Sequence, residues 1–322
     1  MLEVSLGVGT CRSHGQPVKA AMWTKLTFPE TVTTLNSGGS SFPGSLIRLI
    51  NARRNREHVL TFQLAGSAIE IYERVMVPLW FGRWAEALVD LLSLQPSERV
   101  LDVACGTGVT TRLAKSRVGP GGRVDGLDIN AAMLAKAKDL ADALDIGWIE
   151  RDAANSGLPS GSYEVVMSQH GYHYFPNKPA ALDEFRRLLA PKGRMAFSIW
   201  VGHSPYTRAI CTAVAKHISP EIAQKQRSQR ETPSADDLAS QVDSAGFSDV
   251  AIHRQELMID VPLAREFVPL HLGSMPIAGA FLALSDVAKE RLIDDVEDAL
   301  SGYVQGGRIV YPDAVHVVIG FK

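Results

Sequence analysis

The amino-acid sequence predicts an α/β fold built on a doubly wound, mostly parallel sheet. Three observations carry this. Strand-length apolar runs alternate with helical segments between residues 99 and 200. The first run, "RVLDVA" at 99–104, opens through the glycine-rich turn "CGTG" directly into a helix. Aspartates stand at or near the ends of three successive runs, at Asp102, Asp128 and Asp152. Such alternation makes βαβ units, whose right-handed connections give a largely parallel sheet with helices on its faces.

Residues 1–57 hold seven Lys/Arg against three Glu and many Ser and Thr, and 28–45 is a Gly/Ser/Thr/Pro-rich linker. This stretch reads as a disordered or extraneous extension preceding a domain at 58–322. A transit peptide would share some of its composition, whereas the start lacks the apolar run of a secretory signal. From about 60 the chain carries large apolar residues at helical spacing, predicting two helices broken near Pro78. "QPSE" then turns the chain into the first strand.

The helix after "CGTG" stops at "GPGG", and "RVDGLD" (123–128) is the second strand. The helix that follows takes Asn130 as its N-cap. "GWIERD" (147–152) and "YEVVMSQ" (163–169) are the third and fourth strands. A helix closed by Pro-Lys-Gly leads to the fifth, "RMAFSIW" (194–200). Beyond it come a helix ending at Gly246, a strand at 248–259, a helical excursion over 261–303 and a last strand at 314–322. The pairing of those two late strands predicts a hairpin at the sheet edge, with the excursion as a cap over a pocket.

The chain has 322 residues, a net charge of −2 and a pI of about 6.5, so no global positive field draws it to nucleic acid. No run approaches the length of a membrane span. Cys11, Cys105 and Cys211 are too few and too scattered for a disulfide framework or a zinc site, which suits a cytoplasmic protein and predicts no metal.

Ligands of open α/β sheets bind beyond the carboxyl ends of the strands. Gly106 and Gly108 allow backbone to approach a ligand closely. A dinucleotide turn would place a third glycine at 111, where this chain has Thr111. Asp128 lies 20 residues after Gly108, the place of an acid that accepts from ribose hydroxyls. Asp152, followed by the small Ala153 and Ala154, can accept from an adenine amine. The constellation therefore predicts an adenosine-containing ligand without a pyrophosphate.

These residues resemble the class I S-adenosylmethionine-dependent methyltransferases, closest to the group that includes ubiquinone/menaquinone-biosynthesis enzymes. The carrying segments are "VLDVACGTG" (100–108), "VDGLDINAAMLAKAK" (124–138), "ERDAANSGLPSGSYEVVMSQHGYHYFPN" (150–177) and "EFRRLLAPKGRMAFSIW" (184–200). Ala104 stands where the family pattern has its first glycine. The resemblance implies a Rossmann-like, seven-stranded sheet with a C-terminal antiparallel strand. It implies S-adenosyl-L-methionine as cofactor, with Asp102, Ala104, Cys105, Gly106 and Gly108 at the methionine end. Asp128, with Ile129 and Met133 beside it, would take the ribose side, Asp152 and Ala153 the adenine, and Gln169 and Tyr72 would flank or close over the cofactor.

Transfer of a methyl group to a small acceptor needs alignment and, for a protonated acceptor, a base. "QHGYHYFPN" (169–177) offers His173 and His170 as bases and Tyr172 and Tyr174 as pocket walls. Trp200 and, from the excursion, Phe267, His271 and Met275 would make the acceptor site apolar or aromatic. The alternatives are a non-catalytic binder of the same cofactor, an NAD-dependent oxidoreductase and a nucleic-acid methyltransferase. Thr111 and Asp152 argue against the second, and the absence of a basic face against the third. Oligomeric state is not legible in the sequence.

Overall fold

The computed structural model describes residues 66–322. The expectation for 1–57 lies outside the described residues. Short α1 (Ser67–Ile71) runs into a π-helical segment, Tyr72–Phe81, and then α2 (Gly82–Leu92). Pro78 sits inside the wide segment, so the chain loosens there where a break was expected. Proline lacks the N–H that a regular α-turn needs, and a π-turn accommodates the loss. The result points Tyr72, Trp80 and Phe81 toward one cavity.

Then β1 (Arg99–Val103), α3 (Val109–Val118), β2 (Arg123–Asp128), α4 (Ala131–Leu140), β3 (Ile146–Glu150) and β4 (Tyr163–Gln169) follow in order. Asn130 caps α4, its side chain accepting from the Ala132 and Met133 amides. After a 3₁₀ turn at Tyr172–Tyr174 come α5 (Lys178–Leu188) and β5 (Leu189–Trp200). The chain leaves α5 earlier than expected because Pro191 disfavours helix at the residue before it and Lys192 is left-handed, with φ 65°.

The region after β5 holds two helices that the sequence reading left unassigned, α6 (Pro205–His217) and α7 (Pro220–Ser228). Their N-caps are Ser204 and Ser219, each followed by proline at the first helical position. Next, α8 (Ala235–Ser244) opens with a capping box between Ser234 and Asp237. β6 (Ser248–Val261) leads to α9 (Ala264–Gly273), α10 (Ala278–Leu282) and α11 (Asp286–Leu300). The two-residue β7 (Val304–Gln305) and long β8 (Arg308–Phe321) end the chain.

Strand order is β3-β2-β1-β4-β5-β8-β6, with β7 attached to β8. β1 to β5 pair in parallel, and β8 runs antiparallel to both β5 and β6. The seven-stranded path with an antiparallel C-terminal strand is thus present, and β7 is an addition to it. Alternate strand residues feed two cores. Val100, Val124, Val165 and Met167 pack with α2, α3, α6, α9 and α11, while Leu101, Val103, Val166 and Phe197 pack with α5 and α8. No helix among the described residues is long and apolar enough to cross a membrane.

Candidate active site

β4 lies beside β1 while β2 and β3 lie on its other side, so strand order reverses at β1. The crevice at the carboxyl ends of β1, β2 and β4 is the place where an open α/β sheet binds a ligand. The turn after β1 shapes it. Ala104, Gly106 and Gly108 take φ of 56°, 56° and 79°. Left-handed backbone is unusual for alanine, and the crowding it brings is visible. A side chain on Gly171 would put its Cβ 2.7 Å from the Ala104 Cβ, so glycine at 171 makes room for the alanine that replaces the family's first glycine.

Asp128 ends β2, and both its oxygens are engaged. Oδ2 accepts from the Gly106 amide at 2.8 Å and Oδ1 from the Asn130 amide at 2.8 Å. A carboxylate can accept further bonds, so it still faces the cavity as an acceptor for hydroxyls. Asp102 is fully buried. Its Oδ2 accepts from the Thr111 hydroxyl at 2.6 Å, and its Oδ1 has no partner among the described residues. Burial first, with the nearby Asp128 charge adding to it against the Thr111 hydrogen bond, pushes the Asp102 carboxyl up to about 7. Thr111, where a dinucleotide turn has glycine, therefore serves as the partner of Asp102.

Ile129 is 61% exposed at the mouth and Met133 is buried beneath it. They line the crevice with Asp152, Ala153 and Ala154. β3 ends at Glu150, so Asp152 lies two residues past the strand and not on its last position as expected. There its Oδ1 accepts from the Ala154 amide at 2.7 Å in a tight turn. Gln169 lines the cavity with its amide already engaged, Nε2 donating to Phe81 O and Oε1 accepting from Thr110. It ties the π-helical segment to the sheet. Gly108 does not line the crevice. It caps α3, and a Cβ there would meet the Trp148 ring at 2.5 Å.

This crevice fits a ligand with a diol, a flat ring and a cationic end. An orphaned buried carboxylate oxygen beside a second acid favours an ammonium or sulfonium, and an exposed isoleucine favours a ring laid against it. Asp102, Asp128 and the 104–106 backbone would hold S-adenosylmethionine in that orientation.

The deeper half of the cavity is aromatic and histidine-rich. His170 stacks on Trp200 with ring centroids 3.9 Å apart, and Trp80, Phe81, His173, Tyr174, His271 and Met275 complete the walls. All four ring nitrogens of His170 and His173 are buried without a partner among the described residues. Burial, then Lys178 and Arg230, pulls His173 down to about 3, and burial with His173 and Arg230 holds His170 well below its ordinary value. Both are neutral imidazoles and weak bases.

Two residues named from the sequence as pocket walls stand elsewhere. Tyr172 is fully buried on the opposite core face, stacked on Phe197 at 4.1 Å with its hydroxyl donating to Gln241 at 2.7 Å. The 3₁₀ turn rotates it away while keeping His173 and Tyr174 on the cavity. Phe267 is fully buried behind His271 and Trp80 and lines no part of the cavity. Tyr72, Cys105 and the other named residues, Gly108 apart, do line it. Cys105 is buried, which pushes its thiol well up and away from nucleophilic character. No group of three His, Cys, Asp or Glu among the described residues has metal-holding geometry.

Sequence reasoning missed Arg230. It follows α7, lines the cavity and is 5% exposed. Its Nη1 and Nη2 donate to Asp313 Oδ1 and Oδ2, both at 2.7 Å, and its guanidinium lies 3.9 Å from the Trp200 ring centre. The two partners are 83 positions apart in an unassigned segment and a strand, so no local pattern marks them.

Residues 100–193 match a family model described as a methyltransferase domain. The chain is 38% identical over 130 residues to a 2-phytyl-1,4-naphtoquinone methyltransferase of Thermosynechococcus vestitus, covering 39% of this chain and 58% of that one. It is 36% identical over 139 residues to the nocamycin O-methyltransferase of Saccharothrix syringae, covering 42% and 48%. The matched part spans about half the length of these relatives. Haemonchus contortus phosphoethanolamine N-methyltransferase 2, solved with S-adenosylhomocysteine, shares the fold at TM-score 0.53 and 17% identity, over 80% of this chain and 57% of that one. Residues 100–193 thus carry a methyltransferase domain by the family match, similar in sequence to small-molecule methyltransferases named for a naphthoquinone and for nocamycin, on a fold shared with a solved methyltransferase.

Proposed function

We propose that this protein binds S-adenosyl-L-methionine and transfers its methyl group to a small, flat acceptor. The observation that carries the reading is the buried Asp102 Oδ1, left without a partner among the described residues beside Asp128 at the strand-order reversal. Two buried acids held close together favour a cationic ligand over the pyrophosphate of a dinucleotide. When bound, the cofactor supplies an electrophilic methyl on a sulfonium, the hard part of the chemistry.

The residues then have positioning work. Asp102 holds the methionine ammonium, and Asp128 accepts from the ribose hydroxyls. Asp152 and Ala153 border the adenine, with Ile129 and Met133 on its apolar side. Tyr72 and Phe81, stacked at 5.0 Å, close the cavity from the π-helical segment. The helices between β6 and β7 cover the acceptor end through His271 and Met275. Their apolar and aromatic walls exclude water and fix the acceptor for in-line attack. The relatives named for a naphthoquinone and for O-methylation support a ring-bearing acceptor. His170 and His173 are hydrogen-bonding groups in this reading, since imidazoles held neutral this strongly take up a proton poorly.

Calorimetry with S-adenosylmethionine, S-adenosylhomocysteine and NAD tests the cofactor. The first two should bind and NAD should not, and preference for NAD overturns the reading. An acceptor screen with labelled cofactor, beginning with phenols, quinols and thiols, then identifies the substrate.

A further inference from the structure

The polar atoms of the acceptor end do not suit a plain hydrocarbon ring. A neutral imidazole carries one donor and one acceptor nitrogen. His170 and His173 line the cavity, and their two donor and two acceptor nitrogens are buried with no partner among the described residues. Trp80 lines the same cavity, and its buried indole N–H has no partner among the described residues. Buried polar atoms are paired in folded proteins as a rule, and a cluster left open asks for a ligand that pairs them.

Arg230 adds a charged edge. Of its five N–H donors, one on each Nη goes to Asp313, and a second on Nη1 lies 3.4 Å from Gly202 O. The edge formed by Nε and the remaining Nη2 donor has no acceptor among the described residues. That edge is one of the two forks by which a guanidinium takes a planar pair of oxygens. Asp313 and the Trp200 face hold the guanidinium still, so the fork is pre-organised.

From this juxtaposition we propose that the acceptor is a flat ring bearing at least two oxygen functions. One is anionic and is bound by Arg230; the other is read by His170 and His173. The inference rests on the methyltransferase reading only in taking this half of the cavity as the acceptor site. It assigns Arg230 as a specificity residue and Asp313 as the residue that positions it. An acceptor that arrives as an anion needs no base, in keeping with histidines that stay neutral.

Two probes of one shape decide it. Protein loaded with S-adenosylhomocysteine is titrated with 1-hydroxy-2-naphthoate and with its neutral isostere 1-hydroxy-2-naphthamide, followed by calorimetry and tryptophan fluorescence. The carboxylate should bind roughly tenfold or more tightly than the amide, the scale of a charge-assisted hydrogen bond. The double variant Arg230→Gln with Asp313→Asn, which leaves no unpaired buried charge, should lose that preference while still binding S-adenosylhomocysteine. His170→Phe with His173→Phe should weaken both probes alike. Equal binding of the probes, binding of neither, or a preference that survives the Arg230/Asp313 double variant overturns the proposal. The wild-type comparison stands whether or not the variants fold. Failure of S-adenosylhomocysteine to bind would sink the methyltransferase reading instead, and the probe preference without it would still judge Arg230.

Discussion

The imidazole of His170 lies flat on the indole of Trp200, their planes 9° from parallel, and the Arg230 guanidinium also stacks on that indole. His170 reaches this position with φ 52°, its amide donating to Ser198 O at 3.2 Å. A strained backbone residue at the end of β4 thus builds one wall of the cavity. The stack ties the loop after β4 to β5 and brings a cation beside imidazoles that cannot then charge.

The histidines should make stability depend on pH. His173 and His271 are pulled down to about 3, and His170 lies well below its ordinary value, burial being the largest cause for each. Their folded values lie below the unfolded value near 6.5. Each contributes stability that is present above that value and is lost as pH falls, by at most about 1.4 kcal/mol per pH unit. Thermal unfolding should therefore fall steadily from about pH 7 toward pH 4. Ring-proton NMR should show these three histidines untitrated across the same range. Ordinary titration near 6.5 by His170 and His173 would contradict the burial argument.

Asp102 acts with the opposite sign. Its folded value, about 7, lies above the unfolded one. Its contribution to stability is full below the unfolded value and fades as pH rises through 7. A bound cation reverses the preference and favours the ionised form. Cofactor affinity should thus rise with pH up to about 7, by no more than about tenfold per unit. Asp102→Asn should weaken binding and flatten that dependence, read by calorimetry at several pH values.

The Arg230–Asp313 pair predicts a large asymmetry between variants. Both side chains are almost wholly buried. Asp313→Ala leaves a buried guanidinium uncompensated and should lower stability by about 3–5 kcal/mol. Arg230→Gln combined with Asp313→Asn should lower it by clearly less. Urea unfolding of the two variants checks the order.

Gly171→Ala should disturb the cofactor crevice at a distance. The new methyl would lie 2.7 Å from the Ala104 Cβ and 2.5 Å from Ser168 Oγ. Overpacking of this kind costs about 1–3 kcal/mol. The loop after β1 must shift to relieve it, so cofactor affinity should fall together with stability.

Tyr172→Phe should do neither to the ligands. Removing the hydroxyl that donates to Gln241 should lower stability by about 1 kcal/mol. Affinity for cofactor and for ring probes should stay at the wild-type level, since the ring remains on the far side of the sheet.

The sequence by itself determined the sheet and its ligand-facing end. Short apolar runs at regular spacing set β1 to β5, and Asp102, Asp128 and the glycine turn were legible because they sit at fixed offsets from those runs. Local signals also placed the Asn130 cap and the stop at Gly246. The tertiary structure decided what local spacing cannot encode. The 3₁₀ turn sent Tyr172 to one core and His173 to the cavity, a rotation that a list of neighbouring aromatics does not reveal. Phe267 and Met275 share one helical excursion, yet only the second faces the cavity. Arg230 and Asp313 meet across 83 residues, and their weight in the site comes from burial and mutual pairing. Periodicity reports which residues turn inward, because that depends on near neighbours along the chain. Which inward groups are left unpaired and face a common space depends on how distant segments pack, and so appears only in the folded molecule.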